Sequence, residues 1–135
     1  MKKLWNIAFG YFLAAMAGGA FYREFTKYWG YTGETALAYI HVHFMVLGTF
    51  AFLLLGVIAK VTNLTGQKGF PVFVKLYNLI LPLMMAVMIW RGVLQTLGTE
   101  LSRGMDAAIS GMAGLTHIAM AGVWIYLFTI LKKAE

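Results

Sequence analysis

The sequence predicts an all-α integral membrane protein, a bundle of four transmembrane helices with both termini in the cytoplasm. The chain of 135 residues is 61% hydrophobic and only 12% charged, and its mean hydropathy is +0.75, far from the averages of soluble domains. Four apolar stretches reach the roughly 20 residues that a helix needs to cross a hydrocarbon core. Charged and turn-forming residues are concentrated between these stretches, as expected for the connections of a bundle.

The first predicted span covers residues 4–22 and follows a pair of lysines. Its small residues Gly10, Ala14 and Gly18 recur every four positions, a spacing typical of close helix packing in membranes. A lysine pair before an apolar run is also typical of a cleavable signal peptide, whose removal would leave three spans. We favour a retained span because the apolar run is long enough to cross the bilayer.

The other three spans cover residues 36–59, 72–95 and 107–131. The third of the four contains Pro82, which has no N–H to bond the carbonyl of Asn78, so a kink is expected there. No linker or low-complexity tract separates one part of the chain from another. The whole chain, residues 1–135, is therefore predicted to form a single domain.

The distribution of basic residues predicts the orientation. One side of the bundle, together with both termini, would hold Lys2, Lys3, Lys60, Lys68, Lys75, Lys132 and Lys133. The other side would hold Arg23, Lys27 and Arg103. The positive-inside rule then places both termini in the cytoplasm of a multi-pass protein, with the bacterial cytoplasmic membrane as the expected location. The net charge is +6, but the basic residues form no single face, so the predicted partner is the lipid bilayer and not nucleic acid.

All three histidines lie within the predicted spans, where an imidazole is a functional hypothesis by default. At a rise of about 1.5 Å per residue, His41, His43 and His117 lie roughly 10 to 16 Å below the outer helix ends. They therefore share the outer half of the membrane. Residues spaced i, i+2 on a helix point about 200° apart, so only one of His41 and His43 can face a small cofactor. We favour His41 because its helix face carries smaller residues.

His117 lies among Ala113, Gly114 and Ala121, which would leave a hollow surface able to admit a flat macrocycle. We therefore predict a b-type haem, with His117 and one of the two other histidines as axial ligands, in electron transfer or in gas or haem sensing. Two alternatives stay open. The histidines would bond helix to helix in an accessory subunit of a larger membrane complex, or they would bind copper or zinc. No pattern typical of a stand-alone enzyme is present.

Arg91 is the fourth candidate site residue. It lies on the third span, slightly nearer the outer surface than the histidines, where a guanidinium suits the two propionates of a haem. An arginine this close to a helix end also commonly extends to the lipid headgroups. The sequence leaves both interpretations open.

Residues 39–48, YIHVHFMVLG, resemble the His-x-His-x4-Gly helix of membrane haem proteins related to the catalytic subunit of haem-copper oxidases. This resemblance implies that His41 or His43 binds haem. Those subunits contain three arcs of four helices, which implies a homo-oligomer of this chain, with a trimer to be tested. The copper-binding histidines of the oxidases have no counterpart here. The chain as a whole, with His117 in its last span, also resembles a bacterial family of small four-span proteins with no assigned function.

Overall fold

The computed structural model describes residues 1–134 and confirms the all-α bundle of four helices, each long and apolar enough to cross a membrane. The helices are α1 (Lys2–Tyr28), α2 (Ala36–Val61), α3 (Phe70–Thr96) and α4 (Arg103–Leu131). Each predicted span lies inside the corresponding helix. Within the described residues there is no β-strand. Each helix packs against the next one in the chain.

Helix α2 is irregular, although its sequence reads as one continuous apolar span. It begins with a 3-10 turn at Ala36–Tyr39, continues as an α-helix over Ile40–His43, and becomes a π-helix over Phe44–Phe50 before returning to α at Ala51–Val61. A π-helical stretch is rare and is found frequently at functional sites. This one follows directly after the two histidines of α2.

The beginning of α2 is held by the end of α3. The hydroxyl of Thr35 accepts a hydrogen bond from the backbone N–H of Leu37 (3.3 Å) and donates one to the carbonyl of Gly92 (2.8 Å). The N–H of Ala36 donates to Oε1 of Gln95 at 2.8 Å. A Cβ atom at Gly92 would lie only 2.6 Å from the backbone nitrogen of Leu37. The close approach of α2 to α3 therefore requires a glycine at this position.

Tyr77 of α3 marks the level at which three helices meet. Its side chain is fully buried, and its ring centroid lies 5.2 Å from that of Phe52 on α2 and 5.9 Å from that of Trp124 on α4. Its hydroxyl donates a hydrogen bond to the carbonyl of Leu47 at 2.7 Å. This aromatic cluster holds α2 and α4 against α3. It lies between the histidines and the end of the bundle that holds the chain termini.

A second polar contact connects α1 to α3. The hydroxyl of Tyr11 donates to Oδ1 of Asn78 (2.8 Å), and Nδ2 of Asn78 donates to the carbonyl of Val74 (2.8 Å). Helix α3 continues through Pro82 as one α-helix. The side chain of Asn78 thus serves as a bridge between helices one turn before the proline.

The small residues of α1 differ in their surroundings. A Cβ at Gly18 would lie 2.8 Å from Cγ2 of Ile40, which confirms that Gly18 allows α1 to approach α2. A Cβ at Gly10 would meet no atom of the described chain within 4 Å. The predicted packing role is therefore wrong for Gly10 within a single chain.

Candidate functional site

The structure brings His43 of α2 and His117 of α4 together. Their ring centroids lie 6.2 Å apart, and the ring planes are nearly perpendicular, at 85°. His43 is half-buried and His117 is exposed. The two residues are 74 positions apart in sequence (117 minus 43), and they meet only because α2 and α4 both pack against α3.

His41 does not take part in this pair. Its Nδ1 lies 2.9 Å from the carbonyl oxygen of Ala15 on α1, and a Cβ at Gly19 would lie 3.3 Å from the same nitrogen. The preference for His41 over His43 is thus corrected by the geometry. The smaller residues on the His41 face receive α1, as Gly48 shows by its contact with Tyr11, and so leave no space for a cofactor there.

A backbone carbonyl fixes the tautomer of each paired histidine. Nδ1 of His43 lies 2.8 Å from the carbonyl oxygen of Tyr39, and Nδ1 of His117 lies 2.7 Å from that of Ala113. Because a carbonyl oxygen only accepts hydrogen bonds, Nδ1 of each ring must carry the hydrogen. In the neutral form of each ring Nε2 then carries the lone pair, and the hydrogen bonds of both rings among residues 1–134 are made through Nδ1. Both imidazoles can therefore act as ligands through Nε2.

The surface of α4 around His117 is exposed. A Cβ at Gly114 would meet no atom within 4 Å in the described chain. Ser110 and Trp124 lie two turns before and after His117 on the same face of α4, about 10 Å along the helix axis in each direction. The open surface is thus bounded at one end by a hydroxyl and at the other by the aromatic cluster around Tyr77.

Arg91 has a partner that the sequence analysis did not predict. Its guanidinium forms an ion pair with Oδ1 of Asp106 at 2.5 Å, and it donates to the carbonyl of Asp106 (3.1 Å) and to Oγ of Ser110 (2.6 Å). Asp106, Ser110 and His117 share one face of α4, and no pattern on α4 alone identifies a partner on α3. Arg91 therefore connects α3 to α4 about two to three turns from His117.

A groove of about 560 Å³ lies beside this contact, between the end of α3 and the beginning of α4. Its charged lining consists of Arg91, Arg103 and Asp106, and Gln95 adds an amide. Two guanidiniums against one carboxylate leave this groove with an excess positive charge. It is suited to anionic groups.

The described residues contain no cluster of three or more His, Asp or Glu side chains able to hold a metal ion. The candidate site therefore offers two nitrogen ligands, one from each of two helices. A metal bound there would need its remaining ligands from another molecule.

Comparison with known proteins gives one match. The family model described as "Protein of unknown function (DUF2871)" covers residues 1–134. No curated protein and no solved structure matches the chain. The match is consistent with the resemblance to a small four-span family, whereas the resemblance to haem-copper oxidases gains no support from it.

Proposed function

The chain belongs to the DUF2871 family of proteins of unknown function, and we propose from the geometry of its own site that it binds a b-type haem between α2 and α4, with His43 and His117 as axial ligands. The proposed role is electron transfer within the membrane. Gas sensing is less well supported, because a site that fills both axial positions leaves none open for a gas.

The separation of the two imidazole rings is the observation that carries this proposal. An imidazole nitrogen binds a transition metal at about 2 Å and lies about 1 Å from the centre of its ring, so two rings on opposite sides of one iron have centres roughly 6 Å apart. The observed separation is 6.2 Å. An edge-to-face ring pair without a metal falls in the same range, about 4.5–7 Å, and the absorption spectrum described below distinguishes the two.

The hydrogen bonds of the two rings also support metal binding. Histidines that bind metals almost always donate their second ring N–H to a carbonyl or carboxylate, which orients the ring and raises its basicity. Tyr39 and Ala113 supply such carbonyls to His43 and His117 from within the same helices. The sequence spacing of four residues therefore presets both ligands before any cofactor binds.

The number of ligands favours haem over a bare copper or zinc ion. Structural zinc sites use four protein ligands and catalytic ones use three, whereas the described residues supply two at this position. A haem brings four equatorial nitrogens of its own and needs only axial ligands from the protein. The open surface at Gly114 offers room for its flat ring.

The positive groove at the ends of α3 and α4 fits the acidic side of a haem. Arg91 already binds Asp106 through both terminal nitrogens, and Arg103 adds a second cation to the same groove. We propose that Arg91, which contacts Ser110, offsets the charge of a propionate, with Asp106 holding Arg91 in place. A haem supplies one-electron redox chemistry, while the protein holds its iron and sets the charge around it.

An absorption spectrum of the detergent-purified protein tests the proposal, provided that the producing cells receive a haem precursor. The wild type should show the Soret band of bound haem, and His43→Ala or His117→Ala should lose it. His41→Ala is the matched control and should keep the band, because His41 contacts α1. Exchange of the imidazole for a thioether in His43→Met should retain haem and raise its reduction potential.

Two results would refute the proposal. Colourless, metal-free wild-type protein from haem-replete cells would leave the histidines as contacts between helices. Loss of the band in His41→Ala, with full retention in His43→Ala, would place the cofactor elsewhere. Homo-oligomerisation and the identity of a redox partner stay predictions that this spectrum does not address.

A further inference from the structure

A groove of about 460 Å³ lies at the end of the bundle that holds both chain termini, between residues 66–69 and the last turns of α4. Lys68 and Lys133 line it, and Gln67, Tyr126 and Thr129 add polar groups. No acidic side chain is among its lining residues. The groove thus presents two ammonium groups to whatever enters it.

The charges of these two lysines are not balanced within the described part of the chain. The ion pairs found among residues 1–134 join Arg23 to Glu24 and Arg91 to Asp106, both at the opposite end of the bundle. Neither Lys68 nor Lys133 contacts a carboxylate in that range. Among residues 1–134, an anion in this groove would therefore meet two lysines and no carboxylate.

The carbonyl groups that end α4 would normally repel an anion, because the C-terminus of a helix carries a partial negative charge. Here donors from the preceding loop occupy two carbonyls that directly follow the end of α4 at Leu131. Nε2 of Gln67 donates to the carbonyl of Lys133 (2.9 Å), and the N–H of Asn63 donates to that of Ala134 (3.2 Å). These hydrogen bonds therefore leave fewer free carbonyl acceptors next to the groove.

The groove lies at the end of a helix that is long and apolar enough to span a membrane, where lipid headgroups would be expected. Tyr126 and Ile130 belong to the last turns of an apolar helix, directly before Lys132. Ile130 is buried in the core and Tyr126 is half-buried, so one wall of the groove is apolar, while both lysines are exposed. We propose that this groove is a binding site for an anionic phospholipid, with the phosphate between Lys68 and Lys133 and an acyl chain along the Tyr126 side. Basic pockets between transmembrane helices bind acidic lipid headgroups by the same chemistry.

Native mass spectrometry of the full chain, with phosphatidylglycerol or phosphatidylcholine added to the detergent, tests this site. The wild type should bind phosphatidylglycerol preferentially. Each lysine near an anionic headgroup contributes about fivefold in affinity, so Lys68→Gln with Lys133→Gln should weaken phosphatidylglycerol binding about 25-fold. Lys68→Arg with Lys133→Arg should retain binding, because both charges remain.

Lys2→Gln with Lys75→Gln is the matched control. It removes the same charge from the same end of the bundle without altering the groove lining, and it should leave phosphatidylglycerol binding within about twofold of the wild type. If the control lost as much phosphatidylglycerol binding as the groove variant, the proposed site would be wrong, and the binding would come from the combined charge of all the lysines. Displacement of the lipid by an equal concentration of inorganic phosphate would overturn the lipid as the ligand. The test is independent of haem.

Discussion

His43 and His117 show how a helix can prepare an imidazole for its chemistry. In an α-helix the carbonyl of residue i−4 is normally occupied by the N–H of residue i, yet it retains a second lone pair. Each of these histidines uses that lone pair on its own helix, at 2.8 and 2.7 Å. His41 instead uses the carbonyl of Ala15 on another helix. The same ring–carbonyl contact thus orients each proposed ligand when it is local and joins two helices when it is distant.

Substitution at the Arg91–Asp106 ion pair should destabilise the contact between α3 and α4. Since the carboxylate side chain is 57% exposed, we expect a coupling energy of only about 0.5–1 kcal/mol. A double-mutant cycle with Arg91→Gln and Asp106→Asn, measured by thermal unfolding in detergent, gives this value. Arg23→Gln with Glu24→Gln is the control cycle, and its coupling should be smaller because its ion pair is longer, at 3.8 Å. Equal coupling in both cycles would contradict the assigned contact.

Gly92 should tolerate no side chain. A Cβ there would lie 2.6 Å from a backbone nitrogen of α2, which cannot move aside as a flexible side chain would. We expect Gly92→Ala to lower the free energy of unfolding by about 1–3 kcal/mol. Gly111→Ala is the matched control, since its Cβ would meet no described atom within 4 Å, and helix propensity alone should make it neutral or stabilising by up to about 1 kcal/mol. A stable Gly92→Ala protein would show that α2 and α3 are farther apart.

The elements were predictable from sequence because a membrane imposes a length and a composition on each span. All four helices follow from that requirement. This requirement does not predict the π-helix of Phe44–Phe50, because an apolar segment satisfies it whether its backbone forms α-type or π-type hydrogen bonds. The sequence analysis favoured His41 because the residues on its helix face are small. Small residues occur both beside cavities and where two helices pack closely, so their presence did not distinguish the two. The depths estimated from helix rise did place His43 and His117 at a similar level, because the rise per residue does not depend on what the helix packs against.

The beginning of α2 depends on Thr35, whose hydroxyl caps the helix and also binds α3 through the carbonyl of Gly92. Thr35→Ala should therefore cost about 1–2 kcal/mol of stability. Thr32→Ala, an exposed threonine in the same connection, should change stability by less than about 0.5 kcal/mol. Thermal unfolding in detergent measures both. Similar melting temperatures for the two variants would mean that α2 is positioned without this cap.

At the scale of the whole molecule, the bundle separates two kinds of chemistry along its length. The imidazole pair lies in the half that contains Arg91, and the two-lysine groove lies at the opposite end with both termini. The aromatic cluster around Tyr77 lies between them and fills the interior where α2, α3 and α4 meet. A redox partner for a haem would then approach from the histidine half, while lipid at the other end would anchor the bundle.

Which end faces the cytoplasm can be measured directly, because the chain contains no cysteine. A single cysteine introduced at Lys68 or at Thr99 is then the only thiol, and a membrane-impermeant maleimide reports the side on which it lies. If the lysine-rich end is cytoplasmic, as the positive-inside rule predicts, Thr99→Cys should react in intact spheroplasts and Lys68→Cys only in inverted vesicles. Both should react fully after detergent is added, which controls for burial. The reverse pattern would place the proposed haem in the cytoplasmic half and would redirect the search for a redox partner to that side.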